Sequence, residues 1–189
     1  MKQRPTSYFL IAIVGSLASC ATNMSPQTDE LLNTTFIKQQ FGPSAYPDIT
    51  FGSRCSTPPK LSVVVEEDRK GPRSLSGFPP VGVTFEEISA SMQRYFVDAL
   101  KQSKVETMPT GGTLVRVRVQ DMSMTTGWGL AAGSTTLAID VFAWDHTATY
   151  MGEEVSGTIP RGIAYSMHMA VLKFLADPQV LRRLQCREK

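Results

Sequence analysis

The chain has 189 residues, 42% of them apolar, 19% charged and 8% aromatic. That length fits one domain, or one domain with a tail, and the composition excludes wholesale disorder and any collagen or coiled-coil bias. Lysine and arginine total 19 against 17 acids. Two of those bases, Lys2 and Arg4, precede the first apolar run, so everything downstream is formally neutral. A nucleic-acid binder keeps a positive excess in its folded part, which this chain lacks.

Met1 to Ser7 is short and basic, Tyr8 to Leu17 is apolar and uncharged, and Ala18, Ser19 and Cys20 follow. A basic start, about ten apolar residues and a small-residue end have the form of a secretory signal. Even Tyr8 to Ala21 would reach only about 21 Å as a helix, short of a bilayer core of about 30 Å.

Leu17-Ala18-Ser19-Cys20 resembles the lipobox of bacterial lipoproteins at all four positions: aliphatic, small, small, cysteine. The resemblance implies a diacylglycerol thioether on the Cys20 sulfur, cleavage of residues 1–19 as signal peptide, and acylation of the new amine. Two or three buried acyl chains, at about 0.8 kcal/mol per CH₂, hold a protein to a membrane where one chain binds marginally. Residue 21 is Ala rather than Asp. By similarity to enterobacterial sorting this implies the outer membrane; the expectation for the domain is the periplasmic side, with surface exposure as the alternative.

With Cys20 lipidated, Cys55 and Cys186 remain in an oxidising compartment, where the expectation is a disulfide between them. Two free thiols or a metal site are the alternatives, and the absence of CxxC spacing or a nearby histidine argues against metal. Residues 20–60 read as a tether passing into irregular structure, and 61–189 as the domain proper. Ala21 to Thr28 is small and polar, and Asp29 to Phe41 has the marks of a short helix. Seven of the 12 prolines fall between Pro43 and Pro80, so no long regular element fits there.

Leu61 to Glu66 is β-branched at its centre and reads as a strand. Thr84 and Glu87 form a T-x-x-E capping box. Phe85, Ile88, Met92, Phe96, Ala99 and Leu100 then recur at steps of three and four, predicting a helix to about Lys104. Thr113 to Asp121 alternates, with Val115, Val117 and Val119 on one side and Arg116, Arg118 and Gln120 on the other. Ser134 to Asp145 and Thr147 to Ile159 read as two more strands, turning at Asp145-His146. Gly162 to Ala176 is a second amphipathic helix, and Asp177-Pro178 has the form of an N-cap and first residue of a last short helix. The order β-α-β-β-β-α predicts an α+β fold: a small antiparallel sheet with two helices packed on one face.

Candidate chemistry is sparse. The chain has two histidines, His146 and His168, and no nucleophile elbow, zinc-protease, phosphate-loop or EF-hand pattern. Met167-His168-Met169 offers copper-type ligands, but neighbours about 100° apart on a helix do not converge on one ion. The expectation is therefore a non-enzymatic protein without cofactor or metal. Arg116 and Arg118 project together and would suit an anionic lipid or glycan, or would pair with acids such as Asp140 and Glu154 on a solvated face. Trp128 and Leu130, in the glycine-flanked stretch Thr125 to Gly133, either contact a partner or fold back over the sheet.

The order of elements over residues 60–185 resembles small outer-membrane lipoproteins that assist envelope machinery. These are the lipopolysaccharide-assembly lipoprotein and the auxiliary lipoproteins of ABC-type transport systems; Asp68-Arg69 after the first strand is reminiscent of some of them. The resemblance implies a lipid-anchored accessory protein that docks onto, or supports assembly of, a cell-envelope complex.

Overall fold

A computed structural model describes residues 39, 46–51, 57–66, 85–125, 133–156 and 159–186. Its elements are β1 (Leu61–Glu66), α1 (Phe85–Gln102), β2 (Thr113–Thr125), β3 (Gly133–Ala143), β4 (His146–Ser156), α2 (Ile159–Ala176) and α3 (Pro178–Leu184). The architecture is α+β, one four-stranded sheet in the order β1-β2-β3-β4 with helices against it.

The sheet is mixed, which corrects the all-antiparallel expectation. β2, β3 and β4 form the antiparallel meander that their alternation predicts, but β1 lies parallel to β2. The reason is the connection: an intervening helix carries the chain back along the sheet, so the next strand runs in the same direction as the one before it.

Alternation puts Val63, Val115, Val117, Val119, Leu137, Ile139 and Val141 on the helix side, all buried. Against them α1 turns Ile88, Met92, Tyr95, Phe96, Ala99 and Leu100, and α2 turns Ile163, Met167, Ala170, Val171 and Phe174. Helix α1 begins at Phe85, the position after Thr84; the capping box itself lies outside the described residues. It ends when Lys104 adopts φ 64°. Val105 N–H then donates to Leu100 O at 2.9 Å and Lys104 N–H to Lys101 O at 3.0 Å, which satisfies the last carbonyls. Tyr46 and Ile49, upstream of the strands, are also buried in this core, and Ile49 N–H donates to Ser103 O at 3.2 Å.

Two local features depart from the sequence reading. β2 runs on to Thr125 because the register shifts between Val119 and Asp121, a bulge that keeps Met122 in the core after the simple alternation ends. The β3–β4 hairpin turns at Trp144-Asp145 rather than Asp145-His146, with Ala143 opposite His146 and Trp144 at φ 53°. A two-residue hairpin loop needs positive φ to match strand twist, and here tryptophan adopts it.

Candidate functional site: the open sheet face and the Asp177 clasp

One side of the sheet is covered by helices; the other carries Ser62, Val64 and Glu66, then Arg116, Arg118 and Gln120, then Asp140 and Phe142, then Thr149, Met151 and Glu153. Registers place Glu66 beside Arg118, and Arg118 beside Asp140. The two arginines expected to project together do so, and they converge on one acid. Arg118 Nη2 lies 3.4 Å from Glu66 Oε2 and Arg116 Nη1 lies 3.6 Å from Glu66 Oε1. Both guanidinium carbons stand 5.4 Å from the Phe142 ring centroid, within cation–π reach. Next to this cluster Asp140 accepts from the Gln120 side-chain amide and from Thr149 Oγ1 at 2.6 Å. Asp140, expected as an arginine partner, is instead held by these neutral donors.

Among the described residues, acids outnumber bases on this face. Two arginines face four acids, Glu66, Asp121, Asp140 and Glu153, on the same side of the sheet. Four large apolar side chains are exposed there: Val64, Leu114, Met151 and Val155.

A second cluster lies on the helix side, at the start of β4. Asp177 caps α3, its Oδ1 accepting from Gln179 N–H at 2.7 Å and Val180 N–H at 3.4 Å. Its Oδ2 accepts from Tyr150 Oη at 2.8 Å and sits 3.1 Å from His146 Nε2. Burial works to raise the Asp177 pKa, but the Tyr150 hydroxyl, the two backbone N–H groups and His146 outweigh it, so the carboxyl sits below its usual range. Burial, then the adjacent Asp177, pushes the Tyr150 phenol up. Arg183 Nη2 reaches Asp145 Oδ2 at 3.6 Å, adding a second tie between the hairpin and α3. His146 is thus part of a clasp on the sheet and not the tip of a turn. With both carboxylate oxygens engaged, the arrangement fixes α3 against β4.

His168 is buried on α2 with its ring edge-on to Tyr46, centroids 5.1 Å apart. Burial lowers its pKa to about 4, so it is neutral at physiological pH. Tyr46 Oη donates to Tyr95 Oη at 2.7 Å; burial raises both phenols. Met167 is fully buried beside it in the core. Among the described residues no group of three His, Cys, Asp or Glu side chains is placed to hold a metal ion.

Cys186 is disulfide-bonded. Its expected partner Cys55 lies outside the described residues, as do Cys20, Trp128 and Leu130. Among the described residues no helix is long and apolar enough to cross a membrane. The arginine pair was visible in the period-two pattern. The clasp was missed, although His146 and Tyr150, four apart in a strand, share a face, and an N-cap carboxylate has a second oxygen to offer.

No family model matches the sequence, and no curated protein does. The crystal structure of protein XCC0632 from Xanthomonas campestris, described as DUF330, is similar over 74% of this chain and 89% of that one. The identity is 14% and the TM-score 0.43.

Proposed function

We propose that the chain is a bacterial lipoprotein, acylated at Cys20 and held at the outer membrane on its periplasmic side. There it acts without catalysis, docking onto or supporting assembly of a cell-envelope complex. The observation that carries this reading is the run Leu17-Ala18-Ser19-Cys20 behind a basic start and an uncharged apolar stretch. The disulfide at Cys186 agrees with an oxidising compartment. A sheet face against which no described helix packs, with exposed Val64, Leu114, Met151 and Val155, supports a role in contact. Capture of an anionic lipid or glycan on Arg116 and Arg118 is disfavoured, because both guanidiniums share Glu66 and acids outnumber bases on that face.

The test has two arms. Cells fed an alkyne fatty acid should label the wild-type protein and leave Cys20→Ser unlabelled, and the wild type should fractionate with outer membrane. An unlabelled wild type whose intact mass begins at Met1 rejects the anchor. Crosslinking in intact cells followed by capture should enrich an envelope protein; no enrichment over a Cys20→Ser control rejects docking.

A further inference from the structure

The two edges of the sheet are finished differently. The outer side of β1 is occupied: Leu61 N–H donates to Glu106 O at 3.0 Å, and Met108 N–H donates to Leu61 O at 2.8 Å. Thr107 thereby bridges to Leu61. One step along, Gln93 Nε2 donates to Val63 O at 3.2 Å. A loop and a helix side chain thus take up three outward backbone groups of that edge, Leu61 N–H, Leu61 O and Val63 O.

β4 has no such cover among the described residues, none of which pairs with its outer side. Its 11 residues, His-Thr-Ala-Thr-Tyr-Met-Gly-Glu-Glu-Val-Ser, contain no proline, lysine or arginine, and its two adjacent acids, Glu153 and Glu154, leave the stretch from His146 to Gly152 without a charged edge guard. Met151 and Val155 are 52% and 61% exposed on the open face.

We propose that the outer edge of β4 pairs antiparallel with β4 of a second copy of this chain, joining two four-stranded sheets about a two-fold axis at Met151. The argument for a second copy is self-complementarity. Met151 is the midpoint of the strand His146–Ser156, so full overlap sets Met151 opposite its own counterpart. Same-face partners in that register are Thr149 with Glu153 and Thr147 with Val155 on the open side, and Tyr150 with Gly152 on the helix side. Glu153 meets no acid. The two Glu153 positions lie four residues out of register, about 13 Å apart along the strand, beyond a Debye length of about 10 Å. Sliding the pairing by one residue on each strand toward the C-terminus leaves Met151 against Glu153, and sliding by two brings Glu153 onto itself. An isologous contact of this kind closes at two copies. It would satisfy about ten backbone hydrogen bonds.

The test uses protein expressed from the full chain and purified in detergent. Native mass measurement should give twice the protomer mass. Met151→Cys should form an intermolecular disulfide on mild oxidation, because directly opposed Cβ atoms are within bridging reach. Thr149→Cys alone should not crosslink, whereas a mixture of Thr149→Cys and Glu153→Cys chains should. Met151→Lys and Met151→Glu should each weaken self-association at least tenfold while far-UV spectra stay unchanged, and mixing the two should restore the dimer. A protomer mass for the wild type at the highest concentration reached overturns the proposal. So does a dimer that Met151→Lys leaves intact, or one in which position 149 crosslinks to itself.

Discussion

Gly152 sits where α2 crosses β4, and its lack of a side chain sets their distance. A Cβ there would lie 1.8 Å from the Ser166 backbone oxygen, 2.7 Å from its carbonyl carbon and 3.0 Å from the Ala170 nitrogen. Ordinary contact begins at 3.4 Å, so helix and strand would have to part by about 1.6 Å. The obstructing atoms are backbone, so no rotamer change relieves them. A radial gap of only 0.5–1 Å already forfeits about a quarter to a half of each dispersion contact. The separation would loosen Ile163, Met167, Ala170 and Phe174 together, and would stretch the 2.9 Å bond from Ser166 Oγ to Thr135 O. Overpacking costs about 1–3 kcal/mol in most cores; with a whole helix displaced, Gly152→Ala should cost about 3 kcal/mol. For a domain of this size that lowers Tm by about 10 °C. Urea and thermal unfolding followed by circular dichroism measure it. Gly111→Ala, where nothing lies within 4 Å but φ is +85°, is the control for backbone conformation alone and should cost about 1 kcal/mol. A Gly152→Ala protein within 0.5 kcal/mol of wild type would refute the close approach.

Asp177→Ala removes a helix cap and the acceptor for Tyr150 and His146 together; it should destabilise by about 2 kcal/mol, and Asp177→Asn, which keeps the cap, by about half of that. Because burial holds the folded-state His168 pKa near 4, below the 6.5 of an ordinary histidine, the unfolded chain binds the proton first. Stability conferred by the neutral ring is therefore complete above pH 6.5 and is lost as pH falls toward 4. The loss is of order 2–3 kcal/mol, and a His168→Gln protein should show a flatter profile over that window. The lowered Asp177 pKa acts in a separate range, its contribution disappearing only as pH falls below the usual carboxylate value of 3.8. Cys186→Ser, or reduction of the wild type, should lower stability by about 2–4 kcal/mol; an unchanged unfolding midpoint after verified reduction would show that the bridge does not constrain the folded domain.

What could be read from the sequence was what each element says about itself. Val115, Val117 and Val119 declare their face by alternation, Ile88 to Leu100 by helical recurrence, and Asp177-Pro178 marks a helix start through chemistry local to two residues. What could not be read depended on neighbours. A strand's side chains carry no record of whether its partner runs with or against it, so extending the meander's antiparallel sense to β1 failed. The helix between Glu66 and Thr113 was the overlooked sign, since a hairpin cannot contain one. The turn moved by one residue because Asp145 and His146 suit turns by composition, whereas the pairing of Ala143 with His146 decides which two residues are left over. The same dependence decides the candidate site. On their own strand, Arg116 and Arg118 are two cations at anion-clamp spacing. Once β1 lies parallel beside β2, Glu66 comes level with Arg118, and a single carboxylate reaches both guanidiniums while Phe142 backs them from β3. Had β1 run the other way in the same place, Leu61 rather than Glu66 would stand at that end of the sheet, and the carboxylate that the two guanidiniums share would be gone. The direction of one six-residue strand therefore separates an anion-binding surface from a closed charge cluster, and a Glu66→Gln variant that gained affinity for anionic vesicles would show that cluster to be what keeps the face from binding them.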